Sequence, residues 1–176
     1  MKVMTILIPL DGSPVAEAAL SKAVELAKRH EAARLVLVRA VDPAALPDGF
    51  TAAQVAAINR AAEYLRSVAS QLRREGIDRV GRSVWYAAAG PAIVEAARTV
   101  RPDCILMVSS EGDRLVPGPV AEFVRHRTLI PVVLVAVGSA PADAPAWVMV
   151  PPGERWPGTR TGGNSELEVG ARAEAE

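Results

Sequence analysis

Five short apolar runs recur along the first 137 residues, separated by longer stretches in which apolar positions follow helical spacing. The runs are rich in β-branched residues, which is typical of strands buried in a sheet. They cover residues 3–10, 35–41, 80–88, 104–108 and 131–137. The third run is more polar and alternating, which favours an edge position. Because strands and helices alternate throughout, the pattern predicts an α/β fold, a parallel sheet with helices on both faces.

Helix boundaries are marked by local signals. Ser13 and Pro14 are expected as N-cap and first residue of a helix. Thr51 and Gln54 match a capping box, and Gly76 is expected to end the helix that follows. One apolar stripe of that helix is predicted to lie on the sheet: Val55, Ile58, Ala62, Leu65, Ala69 and Leu72.

The composition changes at Gly138, where Pro, Gly, Ala and acidic residues take over. We therefore expect one domain over residues 1–137 and a mostly disordered tail over residues 138–176. Residues 146–150 (AWVMV) are an apolar island inside that tail, able to dock on the domain or on a partner. The interpretation favoured by the surrounding composition is a mobile, unsupported segment.

Composition also limits the classes of function. The formal net charge of the 176 residues is zero, which gives no general attraction for nucleic acid or anionic membranes. No apolar run reaches the roughly 20 residues of a membrane span. The N-terminus leads directly into a strand-like run rather than a signal peptide. One cysteine and two distant histidines predict neither an internal disulfide nor a metal cluster, so we expect a cytoplasmic protein.

The stretch 103–120 holds the main candidate site. A buried strand ends at Val108, a polar loop follows, and a helix begins near Pro119. Open α/β sheets bind ligands at such junctions, because backbone N–H groups and the positive end of the helix dipole point outward there. Ser110 in this loop resembles a hydrolase nucleophile only faintly, and no His–acid pair accompanies it.

Other reactive side chains are better explained by structure. Asp11 lacks the second carboxylate of a Mg²⁺-dependent nucleophile, so a turn or base contact is the preferred role. Cys104 lies between apolar neighbours and is expected to be an inert core thiol. The basic cluster 125–127 complements the dipole at a helix C-terminus.

Several motifs occur in an order that resembles the universal stress protein (UspA-like) family. They are Pro9-Leu10-Asp11-Gly12-Ser13, Gly90-Pro91, residues 103–108, Gly118-Pro119-Val120-Ala121-Glu122 and Ile130-Pro131-Val132-Val133-Leu134-Val135. The resemblance implies a three-layer, doubly wound sandwich (adenine nucleotide alpha hydrolase-like) with a five-stranded parallel sheet in the order 3-2-1-4-5. It also implies a homodimer through strand 5 (Pro131–Val137). Independently, an apolar strand at a sheet edge needs a cover, which a partner strand or the chain's own residues 146–150 would supply.

In ATP-binding members of this family, adenosine lies between the loops after strands 1 and 4, and a Gly-x2-Gly-x9-Gly-Ser/Thr motif wraps the phosphates. Carried over to this sequence, the resemblance implies these nucleotide-binding positions: Pro9, Asp11, Ala40, Met107, Val108, Ser109, Ser110, Gly112, Gly118, Pro119 and Val120.

The phosphate motif departs from the family pattern in four respects. Val108 and Glu111 replace the first two glycines, and Pro119 replaces the hydroxyl residue. Six residues, instead of nine, separate Glu111 from Gly118. Side-chain bulk, a negative charge and a missing N–H each weaken phosphate binding. Three losses of about 1 kcal/mol each amount to roughly a hundredfold in affinity. Gly112 and Arg114 offer partial compensation in a shifted register.

The leading hypothesis is a non-catalytic regulatory module, a homodimer with a degenerate nucleotide site that acts in a stress response through contacts with an unidentified protein. The alternative is an ATP-binding, at most slowly ATP-hydrolysing, member with a shortened phosphate loop. A small hydrolase that uses Ser110 is the third hypothesis.

Overall fold

The structure, a computed structural model, describes residues 4–29, 33–45, 51–110, 115–136 and 147–156. Its strands are β1 (Thr5–Pro9), β2 (Arg34–Val41), β3 (Val80–Tyr86), β4 (Cys104–Val108), β5 (Val132–Val135) and β6 (Trp147–Val150). Its helices are α1 (Pro14–Arg29), α2 (Ala52–Arg74), α3 (Ala89–Val100) and α4 (Pro119–Arg127). No helix in the described part of the chain is long and apolar enough to span a bilayer.

The strands form one sheet in the order β3-β2-β1-β4-β5-β6. The first five are parallel, as predicted, and β6 adds an antiparallel strand beside β5. The predicted order 3-2-1-4-5 is therefore confirmed, with one strand more than expected. The order reverses between β1 and β4, which separates the loops that follow these two strands and opens a crevice between them.

Successive residues of each strand pack on opposite sides of the sheet. Ile6 and Ile8 join a core with α1 and α2, whereas Leu7 between them joins a core with α3 and α4. This two-sided burial explains why the central strands are apolar at every position rather than at alternate ones. The resulting three layers are those of the predicted sandwich.

The predicted helix starts are confirmed by their caps. The Ser13 hydroxyl accepts the N–H of Ala16 at 3.1 Å, and α1 begins at Pro14. Thr51 and Gln54 make both hydrogen bonds of a capping box at the start of α2. The predicted stripe of α2 is correct only in its second half, because Val55 is 40% exposed. Periodicity identifies the apolar face of a helix but not how much of it the sheet covers.

Close packing of α3 on α4 depends on Gly90. A Cβ at this position would lie 2.6 Å from a ring carbon of Phe123, so any larger residue would push the helices apart. Gly90 is buried near the start of α3. Its role in this chain is thus explained by helix packing.

The tail prediction is wrong for residues 147–156. Residues 147–150 form β6, whose four positions pair with all four residues of β5. Val148 and Val150 are each only 1% exposed, so burial of these valines on the domain compensates for ordering the segment. The outer edge of β5 is thereby covered by the chain itself, in the place where the resemblance implied a partner's strand. Residues 137–146 and 157–176 lie outside the described residues.

Candidate functional site: a cleft at the carboxyl ends of β1 and β4

An open cleft of about 330 Å³ lies where the strand order reverses. It is walled by the ends of β1, β2 and β4 and by the first turns of α1, α3 and α4. Its volume is at the lower end of the roughly 300–1,000 Å³ that small-molecule pockets occupy. The residues that line it are Pro9, Leu10, Asp11, Ser13, Val15, Ala16, Val38, Ala40, Asp42, Ala89, Ile93, Met107, Val108, Ser109 and Val120.

The β1–α1 loop forms one side of the cleft and is fixed by its own side chains. The Asp11 carboxylate accepts the backbone N–H of Ser13 at 2.8 Å, and Gly12 turns the chain with a φ of +85°. Burial alone would raise the pKa of Asp11, but hydrogen bonds from Ser13 and the positive charge of Arg39 together lower it below its usual value. Asp11 is therefore an anion at neutral pH.

Arg39 supports this loop from the α2 side. Its guanidinium lies 4.6 Å from the centre of the Tyr64 ring and packs directly against Gly12. The Tyr64 hydroxyl donates to Glu17 at 2.9 Å. Burial raises the pKa of Tyr64, and the hydrogen bond to Glu17 raises it further, so this hydroxyl remains protonated. The network joins α1, β2 and α2 behind Asp11.

The β4–α4 loop on the other side is closed by a clamp at Ser109. The Ser109 hydroxyl accepts the N–H of Val116 at 2.9 Å and lies 3.0 Å from the carbonyl oxygen of the same residue. The same carbonyl accepts the backbone N–H and the hydroxyl of Ser110. Ser109 is 2% exposed, so the clamp is inside the protein.

The backbone amides of Ser109, Ser110 and Val116 all have acceptors within the chain. The N–H of Ser109 donates to the carbonyl of Val135, and that of Ser110 donates to Val116. Residue 117, like residue 119, is a proline and has no N–H. The carboxylates of Asp11 and Asp42 line the cleft, whereas no Lys or Arg is among its described lining residues.

Seven of the predicted site residues line the cleft: Pro9, Asp11, Ala40, Met107, Val108, Ser109 and Val120. Ser110, Gly118 and Pro119 lie in the adjoining loop and helix start, outside the lining. Gly112 lies outside the described residues, as do Glu111 and Arg114. Whether any of these positions binds a nucleotide stays a prediction.

The sequence analysis missed polar and apolar walls supplied by neighbouring elements. Ser13 and Asp42 line the cleft, as do Leu10, Val15, Ala16, Val38, Ala89 and Ile93. Asp42 directly follows β2, and parallel strands end at a common edge, so its position carried a usable signal. No signal in the sequence places the α3 residues in the cleft wall, because their position depends on how that helix packs on the sheet.

The remaining candidate groups have structural roles. The Ser110 hydroxyl donates to a carbonyl and does not line the cleft, which disfavours a hydrolase. Cys104 is 1% exposed, and burial, with a smaller effect of the charge of Asp103, raises its pKa to about 11, as expected of a thiol in the core. Among the described residues, no cluster of three or more His, Cys, Asp or Glu side chains could hold a metal. In the basic cluster, Arg125 pairs with Glu122, and the Arg127 guanidinium lies over Phe123.

Sequence comparison identifies the class of protein that has this fold and cleft. The sequence model of the universal stress protein family matches residues 2–136, about three quarters of the chain. The chain therefore belongs to the universal stress protein family. A comparison with curated protein sequences gives no significant match.

Solved structures of the same family share the fold. A universal stress protein from Burkholderia pseudomallei is 26% identical with a TM-score of 0.60, over 76% of this chain and 96% of that one. An Archaeoglobus fulgidus universal stress protein in complex with dAMP is 22% identical with a TM-score of 0.58, over 76% and 98%. A universal stress protein in complex with cAMP is 20% identical with a TM-score of 0.56, over 78% and 100%.

Proposed function

We propose that this universal stress protein is a non-catalytic regulatory module that acts through protein contacts in a stress response. Its cleft binds the nucleoside part of an adenine nucleotide and gives a triphosphate no additional hold. The proposal is supported by the family membership and by a cleft with defined walls at the point where the strand order reverses.

The observation that carries the proposal is the Ser109 clamp. Two backbone amides of the loop donate to carbonyls of the chain, and a third, that of Val116, donates to the Ser109 hydroxyl. A phosphate would have to break these bonds, each with a net worth of about 1 kcal/mol, before it gained any from the same amides. The carboxylates of Asp11 and Asp42 add repulsion, because they line the cleft and no Lys or Arg is among the described residues that line it.

The other walls suit a nucleoside. Val15, Ile93 and Met107 offer apolar surface for a flat base, and Asp11 offers a carboxylate that can accept hydrogen bonds from amino or hydroxyl groups. The neighbours solved with dAMP and cAMP hold ligands with a single phosphate group. A ligand with little negative charge fits this cleft better than a triphosphate.

The alternative function is ATP binding through a rebuilt, shorter loop. One observation favours it: the crevice between the two loops is open rather than filled by side chains. The two functions differ in what the β- and γ-phosphates contribute to affinity.

Isothermal titration with adenosine, AMP and ATP, each with and without Mg²⁺, separates them. We expect adenosine to bind. The dissociation constant for ATP should lie within about tenfold of that for adenosine, and neither should require Mg²⁺. ATP binding more than about tenfold tighter than adenosine would establish the alternative. Absence of adenosine binding would overturn the nucleoside assignment. An Asp11→Asn variant is the matched control. It removes one negative charge from the cleft, so the affinity for ATP should rise relative to the affinity for adenosine.

A further inference from the structure

A second cavity, of about 630 Å³, lies at the opposite edge of the sheet from the cleft. It is formed by the last turns of α3 and α4 and by the residues that precede β4 and β5, which places it at the amino ends of these strands. Three arginines line it, Arg98, Arg101 and Arg127, and no Asp or Glu is among its described lining residues. Because its charged lining is all positive, we call it the arginine cavity.

The guanidiniums of the arginine cavity keep their positive charge. Arg98 pairs with Glu95 at 2.6 Å, but both side chains are more than half exposed, so water screens the pair. The Arg127 guanidinium lies 4.5 Å from the centre of the Phe123 ring, which holds the side chain without neutralising it. The cavity therefore attracts an anionic group.

Arg101 occupies a position at which the end of a helix alone would favour glycine. It is the C-cap of α3 and has a φ of +51°, the only positive φ of a non-glycine residue in the described part of the chain. A Cβ is disfavoured in this left-handed conformation. Arginines near a helix C-terminus also complement the dipole, but the dipole favours such a charge at any exposed position of the last turn. An arginine at the left-handed residue itself therefore points to a ligand in the cavity.

The cavity also offers apolar surface. Ala97 and Pro102 are buried residues of its wall, whereas Leu129, which lines it as well, is 89% exposed. Covering Leu129 would remove apolar surface from water. The cavity is thus suited to a ligand that is acidic and partly apolar.

The last described residues of the chain lie against α4. Arg125, two residues before Arg127, donates to the carbonyl of Glu154. Trp156 is 3% exposed in the core that contains α3 and α4. The chain beyond Trp156 therefore starts near α4, whose last turn lines the cavity.

Residues 157–176 carry the complementary charge. They contain four glutamates and two arginines, a net charge of −2, and residues 165–169 read Ser-Glu-Leu-Glu-Val. Glu166 is ten residues beyond Trp156, and ten extended residues reach up to about 33 Å. The nine residues of α4 span about 14 Å, so the acidic residues are within reach of the cavity.

We propose that the arginine cavity binds an acidic peptide segment that carries an apolar side chain, and that residues 165–169 of this chain occupy it. The carboxylates of Glu166 and Glu168 pair with the guanidiniums, and Leu167 covers Leu129. The segment is thereby held at the ends of α3 and α4. The inference does not depend on what the cleft binds, because the two sites lie at opposite edges of the sheet.

The test places a nitroxide spin label on Ser165→Cys in the full chain and measures the broadening of backbone amide signals by NMR. Cys104, the single cysteine of the sequence, is 1% exposed and is not expected to react with the label. We expect the amides of residues 97–101 and 127–130 to be broadened most. In about 1 M salt, where charges are screened beyond roughly 3 Å, this broadening should fall several-fold.

A tether alone would keep the label near Trp156, so variants of the arginines decide the result. Arg98→Gln combined with Arg101→Gly removes two charges and relieves the left-handed strain, so this variant should fold. Arg66→Gln combined with Arg74→Gln is the matched control, since it removes two charges from exposed positions of α2. We expect the first pair to reduce the broadening at the cavity several-fold and the second to leave it unchanged.

The acidic segment has its own control. Glu166→Gln combined with Glu168→Gln should reduce the broadening as the arginine variant does. Glu174→Gln combined with Glu176→Gln changes the charge equally, further along the chain, and should not reduce it. No preferential broadening at the cavity, or equal effects of either variant pair and its control, would overturn the proposal. In a mixture with spin-labelled chain, broadening of an isotope-labelled chain without a spin label would assign the segment to a second copy and would also overturn it.

Discussion

The two loops that flank the cleft are held by hydrogen bonds of different range along the chain. In the β1–α1 loop, Asp11 and Ser13 cap backbone groups two and three residues away. In the β4–α4 loop, Ser109 bonds both backbone groups of Val116, seven residues away. In the described residues of each loop, side-chain hydrogen bonds hold the backbone, and in the second loop they join the two ends of the loop at Ser109 and Val116. The first loop is therefore held by bonds between near neighbours, and the second by a bond between groups seven residues apart.

The largest expected effect comes from breaking the clamp. Ser109→Ala leaves the partly buried N–H of Val116 without its acceptor and removes the second bond to the Val116 carbonyl, which together should lower the free energy of unfolding by about 2 kcal/mol. Ser110→Ala is the matched control, because Val116 keeps its other partners and the change should cost under about 0.5 kcal/mol. Urea denaturation measures both. Equal losses for the two variants would show that the clamp does not hold the loop.

A smaller effect is expected in the β1–α1 loop at Gly12. Gly12→Ala places a Cβ at a φ of +85° and 2.6 Å from an Arg39 nitrogen. We expect a loss of about 1.5 kcal/mol, from left-handed strain and from displacement of Arg39 off Tyr64. Gly76→Ala is the control that measures backbone strain alone, because the φ of Gly76 is +89° and an added Cβ would meet nothing within 4 Å. We expect it to lower the free energy of unfolding by about 1 kcal/mol.

The contribution of Arg39 can be separated in the same denaturation experiments. In an Arg39→Ala background, Gly12→Ala should cost no more than Gly76→Ala, since the displaced side chain is gone. If Gly12→Ala destabilises the Arg39→Ala background as much as it destabilises the unaltered protein, its extra cost over Gly76→Ala does not come from Arg39.

The smallest expected effect concerns the charge of Asp11. Its pKa in the folded protein is lowered from 3.8, so the charge stabilises the fold fully above that pH and progressively less as the pH falls through the folded value. The difference in Tm between the unaltered protein and Asp11→Asn should be largest near neutral pH and shrink below pH 3.8. Exposed Glu63→Gln is the control, and a constant difference across this range would contradict the assignment.

Sequence reasoning succeeded where the deciding contacts are local or repeated. The cap at Ser13, the capping box at Thr51 and the bounds of β4 follow from neighbouring residues, and all three are confirmed. It failed for β6, because a composition rich in Pro and Gly around residues 146–150 is typical of a mobile tail. Only the exposed edge of β5, nearby in space, gives that segment a place to fold.

The sequence by itself determined the alternation of strands and helices, because hydrophobic periodicity and local caps depend on near neighbours. The order of the five parallel strands was implied by the ordered motifs that resemble a known family, not by periodicity. Tertiary structure alone decided that the Ser109 hydroxyl clamps Val116 and that β6 covers β5. Both outcomes require groups that are apart in the chain to meet in space. A backbone amide has no sequence signature, so which of its possible acceptors it finds is settled only when the chain has packed.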